Sequence, residues 1–154
     1  MTTDNYPILC FDTATPATVV AAARDPGHVV VRRHDPDAGA RPAHATALLP
    51  LVDEALAAAG LNLADVQRLG VGTGPGSFTG LRIGLATARG LAQGLGLPLA
   101  PVSSLEALAA GASAEAGPDR AVLAVIDAGR GEGFALAVAG DRRLGEAAAL
   151  GPEA

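Results

Sequence analysis

Gly72-Thr-Gly-Pro-Gly-Ser-Phe-Thr-Gly-Leu-Arg82 is the segment on which the fold turns. It follows a short apolar run, Leu69–Thr73, and opens a helical pattern over about Thr79–Gly94. A Gly-rich turn between a strand and a helix can gather backbone N–H groups around an anion, and the helix dipole adds to that. The spacing is not that of a P-loop, which needs a Lys, because the chain contains no Lys. Nor is it the dinucleotide fingerprint, since Pro75 and the placing of Gly72, Gly74 and Gly76 do not match it. Two readings stay open: a rigid strand-to-helix turn, or a phosphate site to which Gly74 and Gly76 contribute.

Turning about 100° per residue along the helix that follows puts Leu81, Gly84, Leu85, Ala88, Leu91, Ala92 and Leu95 on one arc, the expected core face. Arg82, Ala86, Arg89 and Gln93 form the wet face. Between the two runs a strip of Gly80, Ile83, Thr87, Gly90 and Gly94, whose small residues let another helix backbone come close. A helix-interior Gly costs about 1 kcal/mol relative to Ala. Gly84, Gly90 and Gly94 therefore call for close packing, against a helix of the same chain or against a partner.

Working outward toward the N-terminus, Ile8–Phe11, Val19–Ala23 and His28–Arg33 read as strands. The turn residues Asp25-Pro26-Gly27 join the last two as a hairpin. After a loop over residues 35–42, a helix is expected to run to Ala59, with Leu48, Leu49, Val52, Leu56 and Ala59 on its inner face and Gly60 as its stop. Pro50 should kink that helix or mark a late start. Toward the C-terminus, Pro98–Val102 reads as a strand, and Ser103 or Ser104 caps a helix to about Ala110. A polar connection over Ala112–Asp119 precedes strands at Val122–Ile126 and Gly133–Val138, and Leu144–Ala154 is Ala-rich with a weak pattern. The order describes an α/β domain over residues 1–111, with residues 112–154 too few to bury a core of their own.

Composition narrows the function. With 16 Asp and Glu against 11 Arg, the net charge of −5 argues against a basic nucleic-acid binder. Three Phe, one Tyr and no Trp make a poor stacking platform for single strands. Cys10 is alone, so no disulfide forms within the chain, and its place in a core strand suggests an inert buried thiol. No run of about 18 apolar residues marks a membrane span. Met1–Tyr6 lacks the basic start and apolar stretch of a signal peptide, which makes the cytoplasm the expected location.

Candidate catalytic groups are few. Asp12 ends a buried strand, where α/β sheets often place ligand groups, though it suits a turn or cap equally. Asp127, with Arg130 and Glu132 close by, reads as a turn or ion pair before a metal site. None of His28, His34 and His44 has a second His at i+3 or i+4, and position 48, where His44 would need one, is Leu. Ser77 does not stand in a Gly-x-Ser-x-Gly nucleophile elbow. No catalytic constellation emerges.

These residues carry a resemblance. Asp12-Thr-Ala-Thr-Pro16, His44 before Leu-Leu-Pro-Leu at 48–51, Gly74-Pro-Gly-Ser-Phe-Thr-Gly-Leu-Arg82 with Gly84, Val102-Ser-Ser-Leu105 and Ile126-Asp-Ala-Gly-Arg-Gly-Glu132 together resemble the TsaB family of bacterial tRNA threonylcarbamoyladenosine biosynthesis proteins. The resemblance implies an actin-like ATPase (ribonuclease H-like) lobe with a mixed five-stranded sheet in the order 3-2-1-4-5 and flanking helices, plus a short, incomplete second lobe. It implies a non-catalytic subunit, without a cofactor of its own, in a complex that modifies adenosine 37 of tRNAs reading codons that begin with A. In that complex TsaD and TsaE homologues are the partners and supply the metal and the ATP chemistry, tRNA is met only through them, and no membrane is involved. Without TsaD a homodimer is expected. Carried over to the first two helices, the partner surface comprises His44, Leu48, Leu51, Arg82, Ile83, Thr87, Gly90 and Gly94, while Asp12, Gly74 and Gly76 are the candidates for touching a nucleotide. Gly129 departs from the family's usual second Arg, and Gly133-Phe134 replaces Val-Tyr or Val-Trp.

Rival readings are a nucleotide-binding actin-like enzyme, a metallopeptidase-like homologue and a homodimeric interaction module. The missing Lys, and the absence of Gly two residues after Asp12, count against the first. The missing second His counts against the second.

Overall fold

The computed structural model describes residues 6–151. The reading of Met1–Asn5 as free of a signal peptide, and the last three positions of the expected second lobe, lie outside the described residues.

Two sheets organise the chain. In the first, β1 (Ile8–Asp12), β2 (Thr18–Asp25), β3 (His28–His34), β4 (Arg68–Gly72) and β5 (Leu99–Val102) lie in the order β3-β2-β1-β4-β5. β1, β2 and β3 pair antiparallel, and β4 and β5 join parallel to β1. Parallel neighbours need a crossover of a dozen or more residues. The helices α1 (His44–Ala58) and α2 (Phe78–Leu95) supply the two crossovers. This order and these directions are those of an actin-like ATPase (ribonuclease H-like) lobe, as the resemblance implies.

Alternation along the strands chooses the covered face. Leu9 and Phe11 of β1, Val20 and Ala22 of β2, and Leu69 and Val71 of β4 are buried, and they cluster with Leu48, Val52, Ala55 and Leu56 of α1 and Ala88 of α2. α1 differs from expectation in two ways. It begins before Pro50 and runs through it, so Pro50 marks no late start. The ring is exposed, which leaves the carbonyl one turn back to water. The inner arc also sits slightly to one side: Leu51 is buried while Leu49 is 53% exposed. Leu49 lies about 100° round from Leu48, beyond the edge of the arc. At the far end, the Arg24 guanidinium from β2 donates to the Ala59 and Gly60 carbonyls at 2.6 and 2.8 Å, capping the helix with charge of the favourable sign.

The second sheet holds β6 (Ala121–Gly129), β7 (Glu132–Ala139), β8 (Arg142–Arg143) and β9 (Ala148–Leu150). β6 takes one edge of β7, and β8 and β9 share the other. α3 (Ser104–Ala116) is longer than expected, continuing past Ala110 through Gly111. Leu105 and Ala109 of α3 pack with Ala124, Ile126, Leu136 and Val138 of β6 and β7. The expected division between residues 111 and 112 therefore falls inside a helix, and by packing α3 goes with the second sheet. Ser113 Oγ strengthens the join by donating to the Gly140 carbonyl at 3.1 Å.

Candidate functional site

The Gly-rich turn lies where three elements meet at the end of β1. Asp12 Oδ1 accepts from the Ala14 amide at 2.7 Å, and Oδ2 accepts from the Ser104 hydroxyl, the first residue of α3, at 2.5 Å. Ser104 Oγ in turn accepts from the Gly74 amide at 3.1 Å, and the Ser104 amide donates to the Gly74 carbonyl at 2.9 Å. The Ala14 carbonyl receives the Ser77 amide at 2.7 Å, and Thr13 Oγ1 donates to the Gly80 carbonyl at 2.7 Å. Ser77 also caps α2 by accepting from the Gly80 amide at 3.3 Å. The turn is bonded into the chain on every side.

Glycine is required here by close approach. A methyl group on Gly72 would fall on the Asp12 carboxylate, one on Gly76 on the Ala14 carbonyl, and one on Gly80 on the Thr13 carbonyl. Gly74 adopts a φ of +88°, in the left-handed region that side chains avoid.

This geometry does not fit the phosphates of a nucleotide, the ligand that an actin-like fold suggests. The Gly74 amide is already spent on Ser104, and Gly76 faces a carbonyl oxygen. Both oxygens of Asp12 are occupied by donors of the chain itself. In this structure Asp12, Gly74 and Gly76, the candidates for touching a nucleotide, are parts of an internal joint. Asp127 is a turn residue, its Oδ1 accepting from the Gly129 amide at 2.7 Å. Among the described residues no three His, Cys, Asp or Glu side chains gather into a set that could hold a metal. A groove of about 500 Å³ lies elsewhere, between α3 and β7, and Ala109, Ser113, Leu136 and Val138 line it.

The residues expected at a partner surface separate into two groups. His44, Leu48 and Leu51 face inward, with only 3%, 1% and 9% of their surfaces exposed, so they are corrected from surface to core. His44 Nδ1 pairs with Thr18 Oγ1 at 2.8 Å, while Nε2 is buried without a partner. Burial pushes its pKa below the ordinary imidazole value, the Asp12 carboxylate pulls the other way, and His34 adds to the lowering. The second group lies on α2. Arg82, Gly90 and Gly94 are exposed, and Ile83 and Thr87 are half-buried beside them. A methyl group added at Gly90 or Gly94 would meet nothing within 4 Å, so neither glycine is there to let a helix of this chain come close. The Arg82 guanidinium stacks 4.1 Å from the centre of the exposed Phe78 ring at the start of the same helix. Leu95, expected in the core, is 38% exposed at the helix end.

A family model described as TsaD, tRNA N6-adenosine threonylcarbamoyltransferase, matches residues 36–151. The chain is 44% identical over 125 residues to the tRNA threonylcarbamoyladenosine biosynthesis protein TsaB of Escherichia coli (strain K12), covering 81% of this chain and 52% of that one. It is 41% identical over 124 residues to the protein of the same name from Haemophilus influenzae, covering 80% and 50%. The solved structure of YeaZ from Pseudomonas aeruginosa superposes with a TM-score of 0.81 at 35% identity, covering 95% of this chain and 67% of that one. The chain belongs to the TsaB family. It spans about half the length of the curated TsaB relatives it matches. The residues that the TsaD model matches take in α2 with its open glycines and Ser104.

No helix among the described residues is long and apolar enough to cross a membrane. Local sequence gave no sign of the Asp12–Ser104 bond, which joins residues 92 positions apart.

Proposed function

We propose that this chain is a non-catalytic partner subunit in tRNA threonylcarbamoyladenosine formation, that it binds a TsaD homologue through α2, and that it works in the cytoplasm. The observation that carries this reading is the open strip Thr87, Gly90 and Gly94 beside Ile83 on a helix of a TsaB-family chain. Two exposed glycines weaken α2 against Ala, Gly90 by roughly 0.5 to 1 kcal/mol and Gly94 in the last turn by less, and gain no contact within the chain. A helix backbone from another subunit approaching along the strip would supply the missing compensation. The metal and the ATP chemistry are then supplied by the TsaD and TsaE homologues, and tRNA is met through them. In their absence the same strip pairs with a second copy.

Size-exclusion chromatography with light scattering, on this chain mixed with the TsaD homologue of its own organism, tests the reading. The expected result is a heterodimer that Gly90→Arg abolishes, because a long side chain wedges the strip apart. A folded chain that forms no complex, or a complex indifferent to Gly90→Arg, would overturn it.

A further inference from the structure

The unpartnered nitrogen of His44 is the one buried side-chain nitrogen or oxygen without a hydrogen-bond partner among the described residues. Groups of this kind are rare, because each forfeits its hydration for nothing. His44 is the first residue of α1, and that helix end is weakly held. Its N-cap, Ala43, offers no side-chain acceptor, and its first turn carries no acidic residue. What fixes the end is the His44–Thr18 bond, together with the Thr46 and Ala47 amides donating to the Ala43 carbonyl at 3.0 and 2.8 Å.

A proton on this imidazole would have almost nothing to stabilise it. Nε2 looks toward Gly80 of α2, whose carbonyl is already taken by Thr13 and whose amide already donates to Ser77. Thr18 on β2 is fully buried and neutral. His34 at the end of β3 adds like charge, and only Asp12, at the end of β1, opposes it. The α1 dipole also places its positive end at His44. Unwinding the first turn relieves every one of these penalties, since the loop that precedes it is exposed and free to carry the ring into water.

We propose that the first turn of α1 is an acid-triggered latch: it stays wound while His44 is neutral and opens when His44 takes up a proton. The sign follows from linkage. Released into water, the imidazole binds its proton near the ordinary value of about 6.5, whereas the buried ring binds it only at lower pH. The open form therefore takes up more protons as pH falls. The latch is fully held above about pH 6.5 and is progressively lost below it.

Amide hydrogen exchange of the full chain at pH 7.5 and pH 5.5, corrected for intrinsic rates, tests this. Protection at Thr46 and Ala47 should fall between the two pH values, by up to about tenfold, the limit set by the proton affinity of an open imidazole at one unit below its pKa. Amides in the middle of β2 should not change. His44→Gln, neutral at both pH values, should abolish the fall, whereas His28→Gln combined with His34→Gln should keep it. A fall that persists in His44→Gln, that vanishes when only the other two histidines are replaced, or that spreads equally through β2 would overturn the proposal. Should His44→Gln fail to fold, the wild-type chain and the double variant still decide.

Discussion

Glycine-to-alanine changes along α2 should have opposite signs on one helix, because its four glycines meet three different surroundings. At Gly80 the new methyl would lie far inside contact with the Thr13 carbonyl and 3.3 Å from His44 Nε2. Backbone cannot swing aside as a flexible side chain can. The overpacking costs about 2 kcal/mol. Displacing Thr13 also forfeits its buried bond to the Gly80 carbonyl, about 1 kcal/mol more. The gain in helix propensity returns about 1 kcal/mol. Gly80→Ala should thus destabilise the chain by about 2 kcal/mol, a large share of a typical domain's margin. At Gly84 the methyl meets the Thr13 hydroxyl, which can rotate away at the expense of the same bond. Lost bond and gained propensity nearly cancel there, so the change should stay within about 1 kcal/mol of zero. At Gly90 and Gly94 space is open, and only the propensity remains. Gly90→Ala should stabilise the isolated chain by about 0.5 to 1 kcal/mol, and Gly94→Ala by less, since it stands in the last turn. Urea unfolding followed by far-UV circular dichroism, with midpoints compared at equal m, measures all four. Destabilisation by Gly90→Ala would mean that the strip is packed within the chain. A neutral Gly80→Ala would mean that α2 does not press on the β1 turn. Either result would refute the reasoning.

Other consequences can be read as directly. Ser104→Ala should destabilise by about 1 to 3 kcal/mol, because it strips a charge-assisted bond from Asp12 and an acceptor from the Gly74 amide. Combining it with Asp12→Asn should cost clearly less than the sum of the two single changes, and strict additivity in that cycle would show that the bond contributes nothing. Burial raises the Cys10 thiol above its ordinary pKa, with the Gly70 backbone pulling weakly the other way. Its reaction with an aromatic disulfide reagent at pH 8 should therefore be at least about tenfold slower in the folded chain than in urea, and equal rates would place the sulfur in solvent.

Much of this architecture is local enough to be visible in sequence. The five strands of the first sheet, the hairpin at Asp25-Pro26-Gly27 and the face of α2 all follow from periodicity and turn residues, which act over a few positions. The misplaced features depend on what lies across the fold. Gly111 reads as a helix breaker, yet α3 continues because Ser113 anchors it to Gly140, from 27 positions away. Leu49 and Leu51 exchange roles because the covered arc of α1 is centred on Leu48 and Ala55, which brings Leu51 in and leaves Leu49 out. β8 and β9, two and three residues long, are held by pairing with β7 and have too short a pattern to stand out. The resemblance placed His44 and Leu48 at a surface; periodicity already turned Leu48 inward, whereas only the packed helix shows His44 buried. Asp12 and Gly74 were legible as unusual, though not as partners of Ser104, which lies far along the chain from both.

The turn after β1 also bears on how such a chain can change over generations. Asp12, Thr13 and Ala14 are consecutive, and each is bonded to a different element: α3, α2 and the turn that caps α2. An insertion of one residue there would put all three out of step together, while the exposed loop over residues 35–43 could lengthen or take new chain ends at little cost. Viable variants should therefore alter the tripeptide only together with Ser77, Gly80 and Ser104, a set scattered over 93 positions yet inherited as one block.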